Sequence, residues 1–222
     1  MEEKMVIFDL DGTLVDTIGD LSAAVEHAMS KGGFPGHTVE EYRNMVGHGI
    51  RNLVTRALPE GASEDTVDQA LGWFVEYYTS HIDVLSRPYP GIPGLLEELA
   101  AGGVSLAVAS NKFQQGTETL IRRFFPDIPF VRILGNAPGL PLKPDPEVVR
   151  LAIEAVGSAG NEVTAVMVGD SGTDIKTARN AGIPAIAVSW GFRPRKDLEV
   201  ADAIADTPEQ LKELIRIFTR KN

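Results

Sequence analysis

The sequence predicts an α/β protein in which a parallel sheet is interrupted, after its first strand, by a block of helices. Short apolar runs recur along the chain, as is typical of strands that are buried on both faces. Amphipathic helical segments separate most of these runs, and this alternation favours a sheet with helices on both sides. Residues 16–82 instead carry helical patterns throughout. We therefore expect a Rossmann-like parallel sheet core with an inserted helical cap domain.

Each predicted strand comes from a continuous apolar run, and the first is Met-Val-Ile-Phe at residues 5–8. Further strands are expected at residues 104–109, 131–134, 165–168 and 185–188. Helices are expected between most of them, at residues 93–101, 114–124, 147–156 and 173–181.

The helical block reads as four segments, at residues 18–30, 39–45, 50–58 and 64–78. The sequence Arg-Pro-Tyr-Pro-Gly at residues 87–91 limits helix formation, and we expect it to form the return linker. The predicted domains are a discontinuous core, residues 1–15 and 83–222, and a cap, residues 16–82.

Composition narrows the classes of function. The 222-residue chain has 21 Lys and Arg against 31 Asp and Glu, a net charge of −10, which disfavours nucleic acid as a partner. It has no cysteine, so disulfides, thiolate metal sites and cysteine nucleophiles are excluded. The apolar run at residues 5–8 is too short for a signal peptide, and no run is long enough to span a bilayer. We expect a cytoplasmic protein with no membrane partner.

Two carboxylates, Asp9 and Asp11, directly follow the first predicted strand. Ligands of open α/β sheets bind at the carboxyl ends of the strands, and Gly12 allows a turn that lets both acids face one cavity. Two close carboxylates repel each other unless a cation or a shared proton compensates. An ordinary Asp-Gly turn is the alternative interpretation.

A second acidic group, Asp170 and Asp174, follows the predicted strand at residues 165–168. Asp174 could serve only as part of a helix cap, whereas Asp170 should project from the same sheet edge as Asp9. Carboxylates without cysteine or clustered histidine suit a hard, oxygen-binding cation such as Mg²⁺.

Two further segments suit phosphate. Ser110 and Asn111 follow the strand at residues 104–109, where a hydroxyl and backbone amides can hold phosphate oxygens, although Ser-Asn is also a common loop pair. Lys143 precedes Pro144 and lies in Lys-Pro-Asp-Pro, which restricts its backbone, and its point charge suits phosphate. A solvated surface lysine is the alternative.

The order of these motifs resembles that of the haloacid-dehalogenase-like hydrolase superfamily, and the resemblance covers the whole chain. The matching pieces are Asp9-Leu10-Asp11-Gly12-Thr13, Ser110, Lys143 in Lys-Pro-Asp-Pro, and Gly169-Asp170-Ser171-Gly172-Thr173-Asp174.

The resemblance implies a role for each motif. Asp9 would be the nucleophile that forms an aspartyl phosphate, and Asp11 the general acid and base. The Asp9 and Asp170 carboxylates and the Asp11 carbonyl would bind Mg²⁺. The remaining implied roles are phosphate binding by Ser110, Asn111 and Lys143, and support of the site by Thr13 and Asp174.

Within the superfamily, the chain most resembles the phosphoglycolate phosphatases. Dehalogenases lack an acid at the position of Asp11. The β-phosphoglucomutases carry a histidine where this chain has Leu21, and a lysine where it has Val46. Pyrophosphatases and sugar-phosphate phosphatases remain alternatives. A phospho-aspartate switch is a non-enzymatic alternative, but receiver domains lack a helical cap and phosphorylate an aspartate after a middle strand.

The cap should select the substrate, because the core motifs hold only phosphate and metal. The loop Gly47-His48-Gly49 can approach a ligand closely, and Arg51 follows it. If the substrate is 2-phosphoglycolate, we expect Arg51 to bind its carboxylate and His48 to add a hydrogen bond. The expected partner is a small phosphorylated metabolite, and the protein is expected to be a monomer or homodimer.

Overall fold

The structure is a computed structural model, and it describes residues 3–157 and 162–220. None of the helices in these ranges is long and apolar enough to cross a membrane. The strands are β1 (Glu3–Phe8), β2 (Val15–Asp16), β3 (Arg87–Pro88), β4 (Ser105–Phe113), β5 (Phe130–Asn136), β6 (Val163–Gly169), β7 (Ala185–Val188) and β8 (Ala203–Ala205). The α-helices are α1 (Ile18–Gly32), α2 (Val39–Met45), α3 (Ile50–Ala57), α4 (Glu64–Ser80), α5 (Ile92–Ala101), α6 (Gln114–Phe124), α7 (Glu147–Glu154), α8 (Gly172–Ala181) and α9 (Pro208–Phe218).

Six strands form one parallel sheet in the order β5-β4-β1-β6-β7-β8, which confirms the predicted α/β fold. Strand β1 lies between β4 and β6, and its last residue, Phe8, pairs with Val108 on one side and Val168 on the other. The residues that follow these three therefore lie at a common edge of the sheet.

Burial on both faces explains the continuous apolar run of β1. Val6 and Phe8 belong to the core cluster on one side of the sheet, which also contains residues of α5, α6 and α9. Met5 and Ile7 belong to the cluster on the other side, with residues of α7 and α8. All four side chains are fully buried, so the strand shows no alternation of polar and apolar residues.

The main differences from the predicted elements are helix α9, which was not predicted, and several short or irregular strands. Strand β4 continues to Phe113, through the segment expected to be a loop after residue 109, and its pairing with β5 shifts register between Ala109 and Phe113. Strand β8 has three residues, and β2 and β3 have two each, which is too short for an apolar pattern to predict them.

Helices α1 to α4 follow one another between β2 and β3 and pack together, with α1 against α4. The fully buried rings of Phe74 and Tyr78 on α4 lie in contact, 5.2 Å between centroids. Helix α2 begins with a capping box, in which Thr38 and Glu41 satisfy each other's backbone amides. The domain boundaries given above stay a prediction.

The two connections to the helical segment lie side by side. Strands β2 and β3 are antiparallel, with Val15 paired to Pro88 and Asp16 to Arg87. The amide of Tyr89 continues this pairing by donating to the Leu14 carbonyl at 3.1 Å. Part of the expected return linker is thus held in a fixed position against the outgoing chain.

A buried carboxylate fixes the chain just before β3. Asp20 on α1 accepts hydrogen bonds from the amides of Leu85 and Ser86 and from the Ser86 hydroxyl, at 2.7–3.0 Å. Both the Asp20 and Ser86 side chains are buried. Because all these partners donate, a group that only accepts is required at position 20.

We predict that Asp20→Asn lowers the free energy of unfolding by about 1.5–3 kcal/mol. The side-chain NH₂ group of the asparagine would face the donors of Leu85 or Ser86, where the aspartate has an acceptor. Thermal or urea unfolding measures this. Asp68→Asn is the matched control, because Asp68 is exposed and paired to Arg51. Loss of this exposed ion pair should lower the free energy of unfolding by less than about 1 kcal/mol. Equal effects of the two substitutions would contradict the role given to Asp20.

Candidate active site

The sheet edge brings together three of the predicted residues. Asp9 directly follows β1, Asp170 directly follows β6, and Ser110 lies near the end of β4. All three line one cavity and are almost completely buried. They meet because β1 lies between β4 and β6 in the sheet.

An acidic cluster lies at this edge. Carboxylate oxygens of Asp9, Asp170 and Asp174 all lie within 4.8 Å of one another. Burial, and next the charge of Asp174, raise the pKa of Asp9 to about 7. Burial and the charges of Asp174 and Asp9 likewise raise the pKa of Asp170 well above its usual value. The carboxylates are thus crowded enough to favour protonation or a cation.

Lys143 compensates part of this charge. Its Nζ lies 2.9 Å from Asp9 Oδ1, 2.7 Å from Asp174 Oδ1 and 2.7 Å from the Ala109 carbonyl. Burial opposes the charged form of Lys143, but Asp174 and Asp9 outweigh it and hold the lysine pKa above its usual value. The predicted supporting role of Asp174 fits this contact, and Ser171 fixes its other oxygen through its amide and hydroxyl.

Asp11 lines the same cavity as Asp9 but has its own set of contacts. Its Oδ1 accepts from Thr17 Oγ1 at 2.8 Å and from Lys112 Nζ at 3.2 Å. Lys112 also donates to the hydroxyl of Tyr78 on α4, at 2.5 Å. Thr17 is the N-cap residue of α1, yet its side chain makes no capping hydrogen bond and serves Asp11 instead.

Asn111 is fully engaged with backbone. Its Nδ2 donates to the carbonyls of Gly47 and Lys143, at 3.0 and 3.1 Å, and its Oδ1 accepts from the Lys143 amide at 2.8 Å. Both side-chain N–H groups are used, so a phosphate oxygen could reach only the backbone amide of Asn111. The side chain instead fixes the segment that carries Lys143.

Two glycines permit the close approach of chains around Asp170. A Cβ on Gly12, whose φ is +83°, would lie 2.4 Å from Asp170 Oδ2, and a Cβ on Gly191 would lie 2.4 Å from the Gly12 carbonyl. The amide of Phe192 donates to Asp170 Oδ2 at 2.6 Å. Thr13, at the end of the first motif, is buried, and its carbonyl accepts from Trp190 Nε1 at 3.1 Å.

The helical segment closes the cavity on the side away from the sheet. Its contribution is mainly apolar side chains and two glycines of the predicted cap loop. These lining residues are Leu21, Val46, Gly47, Gly49, Ile50 and Leu53.

The two predicted specificity residues are not among the cavity-lining residues. His48 is exposed, and partial burial, with Arg193 next, lowers its pKa. The Arg51 guanidinium, with a side chain 49% exposed, binds Glu64 and Asp68, both at 2.5 Å. Helix α3 directs Arg51 towards α4 rather than into the cavity, so its charge is already paired outside the site.

Two cations that line the cavity, Lys112 and Arg193, had no predicted role. Arg193 follows β7 and donates to the carbonyls of Arg43 and Val46, which links the sheet to the helical segment. Lys112 directly follows Ser110-Asn111, so its place beside a predicted phosphate-binding pair was the available signal. No sequence pattern indicated Arg193.

Comparison with known proteins agrees with this geometry. A phosphoglycolate phosphatase of Mesorhizobium japonicum is 36% identical over 200 residues, which cover 88% of this chain and 86% of that protein. A phosphoglycolate phosphatase of Agrobacterium fabrum is 34% identical over 95% of this chain and 94% of its own. A solved structure from Lactobacillus delbrueckii subsp. bulgaricus, of a proposed phosphoglycolate phosphatase, superposes with a TM-score of 0.89 at 35% identity, covering 97% of this chain and 99% of that chain.

The family model of the haloacid dehalogenase-like hydrolases matches residues 6–188, from β1 to the end of β7. This range contains the acidic cluster, Lys143, and the helical segment between β2 and β3. The chain therefore belongs to the haloacid dehalogenase-like hydrolase family.

Proposed function

We propose that this protein is a magnesium-dependent phosphatase that hydrolyses 2-phosphoglycolate through an aspartyl phosphate on Asp9. The observation that carries the proposal is the placement of Lys143 within 2.9 Å of a buried Asp9, with Asp11 lining the same cavity. This set supplies a nucleophile, a positive charge for phosphoryl oxygens and a proton donor. The names of the relatives support 2-phosphoglycolate as the substrate.

The residues present suit a magnesium ion. The Asp9 and Asp170 carboxylates and the Asp11 carbonyl would hold it, and all of these donors are oxygens. The Asp11 carboxylate is turned to Thr17 and Lys112, which leaves its carbonyl as the donor. When bound, the ion supplies positive charge that neutralises the phosphoryl oxygens and the nucleophile.

In the first half of the reaction, Asp9 attacks phosphorus. Its Oδ1 accepts from the Leu10 amide at 2.7 Å and from Lys143, so the carboxylate is fixed in orientation and Oδ2 can form the bond. The bond from phosphorus to the leaving oxygen breaks as Asp11 donates a proton to that oxygen. Ser110 holds phosphoryl oxygens during this transfer, and Lys143, whose three N–H groups bind Asp9, Asp174 and the Ala109 carbonyl, stabilises their charge from beside Asp9.

In the second half, water attacks the phosphorus of the aspartyl phosphate. Asp11, now ionised, takes a proton from this water, and the bond from phosphorus to Asp9 breaks to release phosphate. Residues 16–82 act as the cap, whose contacts through Gly47 and Val46 enclose the cavity. Enclosure keeps bulk water away from the first step.

Leu21 lines the cavity at the position where the resembling mutases carry a histidine, and this supports hydrolysis over phosphoryl transfer to a second sugar. A screen over 2-phosphoglycolate, sugar phosphates, nucleotides and pyrophosphate tests the substrate. A rate highest with pyrophosphate or a sugar phosphate would contradict the choice of 2-phosphoglycolate.

We predict that Asp9→Asn lowers kcat by about a thousandfold or more, because an amide cannot replace the nucleophile. Without metal and above pH 7, the variant should be at least as thermally stable as the wild-type protein, since burial disfavours the charged form of Asp9. The exposed Asp68→Asn is the control and should keep its rate. A near-normal rate in a folded Asp9→Asn protein would exclude the mechanism.

We predict that Asp11→Asn lowers kcat for 2-phosphoglycolate by about a hundred- to ten-thousandfold. Formation of the aspartyl phosphate from 4-nitrophenyl phosphate should slow much less, because nitrophenolate leaves without being protonated, whereas hydrolysis of the intermediate should slow with both substrates. Single-turnover kinetics with each substrate measures the first step alone. An equal loss in that first step on both substrates would contradict the assignment of Asp11 as the proton donor.

We predict that magnesium affinity falls as the pH is lowered below about 7, by up to about tenfold per pH unit. The sign follows from the raised pKa of Asp9: below that pH a proton occupies the carboxylate, and above it the ionised form binds the cation. Calorimetric titration at pH 6 to 8, in buffers of different ionisation enthalpy, measures affinity and proton release. A magnesium affinity that is constant over this pH range would refute the coupling between protonation of Asp9 and metal binding. Asp170→Ala should abolish magnesium binding.

A further inference from the structure

Of the described residues that line the cavity, Lys112 and Arg193 carry positive charge. The lining that the helical segment supplies is apolar or glycine, and so it offers no charge to a substrate carboxylate. A carboxylated substrate would bury an anion here, and a buried anion requires a charged or multiply hydrogen-bonded partner. These two cations are therefore the charged candidates for that partner among the described lining residues.

Arg193 is engaged elsewhere. Its Nη1 donates to the Arg43 carbonyl at 2.7 Å and its Nη2 to the Val46 carbonyl. Both terminal nitrogens thus hold the helical segment against the sheet. Turning the guanidinium to a ligand would break both contacts.

Lys112 is buried but loosely paired. Its side chain is 1% exposed, and its Nζ lies 3.2 and 3.4 Å from the two Asp11 oxygens. These distances exceed the roughly 2.7–2.9 Å of strong charge-assisted hydrogen bonds, which Lys143 makes with its two carboxylates. Tyr78 anchors the Lys112 ammonium from the other side at 2.5 Å.

The chemistry of the substrate places its carboxylate near Lys112. In 2-phosphoglycolate one carbon joins the leaving oxygen to the carboxyl carbon, so a carboxylate oxygen lies roughly 3 Å from the leaving oxygen. Asp11 must contact that leaving oxygen to protonate it. The carboxylate therefore comes within reach of an ammonium that already lies 3.2 Å from Asp11.

We infer that Lys112 binds the substrate carboxylate and so selects carboxylated phosphomonoesters over neutral ones. The inference rests on the proposed function, and it gives to Lys112 the role that sequence analysis gave to Arg51. A neutral substrate leaves the Lys112 ammonium bound to Asp11 and gains nothing from it. Specificity then comes from the sheet edge, next to the proton donor, rather than from the cap surface.

The test compares 2-phosphoglycolate with 2-phosphoglycolamide, which has the same shape and no carboxylate charge. Lys112→Gln removes the charge and keeps an N–H donor close to the position of the ammonium. We expect the ratio of kcat/KM for the two substrates to fall about ten- to a hundredfold, mainly through a higher KM for 2-phosphoglycolate. Arg51→Ala is the matched cation control and should keep the wild-type ratio.

Three other outcomes would overturn the inference, and they differ in what they say of the proposed function. An equal loss on both substrates, through kcat, would show that Lys112 only orients Asp11. An unchanged ratio in Lys112→Gln, with a wild-type enzyme that prefers 2-phosphoglycolate, would overturn the inference but leave the proposed function standing. A wild-type enzyme that does not prefer the carboxylate over the amide would overturn the proposed substrate, and the inference with it.

If thermal unfolding shows that Lys112→Gln does not fold, a second variant, Tyr78→Phe, tests the inference in its place. Tyr78→Phe removes only the hydroxyl that anchors the ammonium. The preference for 2-phosphoglycolate over its amide should fall about threefold or more, because an unanchored lysine pays more entropy to bind the carboxylate. A full wild-type preference in Tyr78→Phe would count against Lys112.

Discussion

Repulsion among buried carboxylates is the constraint on which the rest of the site depends. Asp9, Asp170 and Asp174 have oxygens within 4.8 Å of one another, and each ionised pair costs roughly 3–4 kcal/mol at an effective dielectric constant of about 20. Lys143 relieves this cost by contacting two of the three. The remaining negative charge suits a cation, so an arrangement that is unfavourable without one could be relieved by binding it.

The surrounding structure holds this arrangement in place through backbone as much as through side chains. Asn111 uses its whole amide to fix the backbone of Lys143, and the Phe192 amide fixes Asp170. The Thr17 hydroxyl donates to Asp11 and makes no capping hydrogen bond to α1. The first helix of the inserted segment therefore begins at the site, and that segment takes part in orienting Asp11 as well as covering the cavity.

What sequence predicted, and what it missed, has a common physical reason. Parallel strands end at one sheet edge, so the positions of Asp9, Asp170 and Ser110 follow from the order of apolar runs along the chain. Arg51 could not be placed in this way, because its direction depends on how helices pack. Lys112 could be placed near the site from its position after Ser110-Asn111, but its contact with Tyr78 depends on the packing of a helix. Helix α4 supplies both outcomes: Glu64 and Asp68 draw Arg51 away from the cavity, whereas Tyr78 holds Lys112 in it.

The pairing of β2 with β3 has a consequence for how such a molecule can change over evolutionary time. The outgoing and returning chains are neighbours, paired to each other at Val15 and Pro88. The inserted segment of about seventy residues therefore joins the core at one place. The pairing fixes where the segment leaves and rejoins the core, and it does not itself limit the length of the chain between these points. Insertions or deletions within the segment can therefore leave the strand ends and their phosphate chemistry unchanged, provided that the contacts of Thr17, Gly47 and Tyr78 with the site are kept.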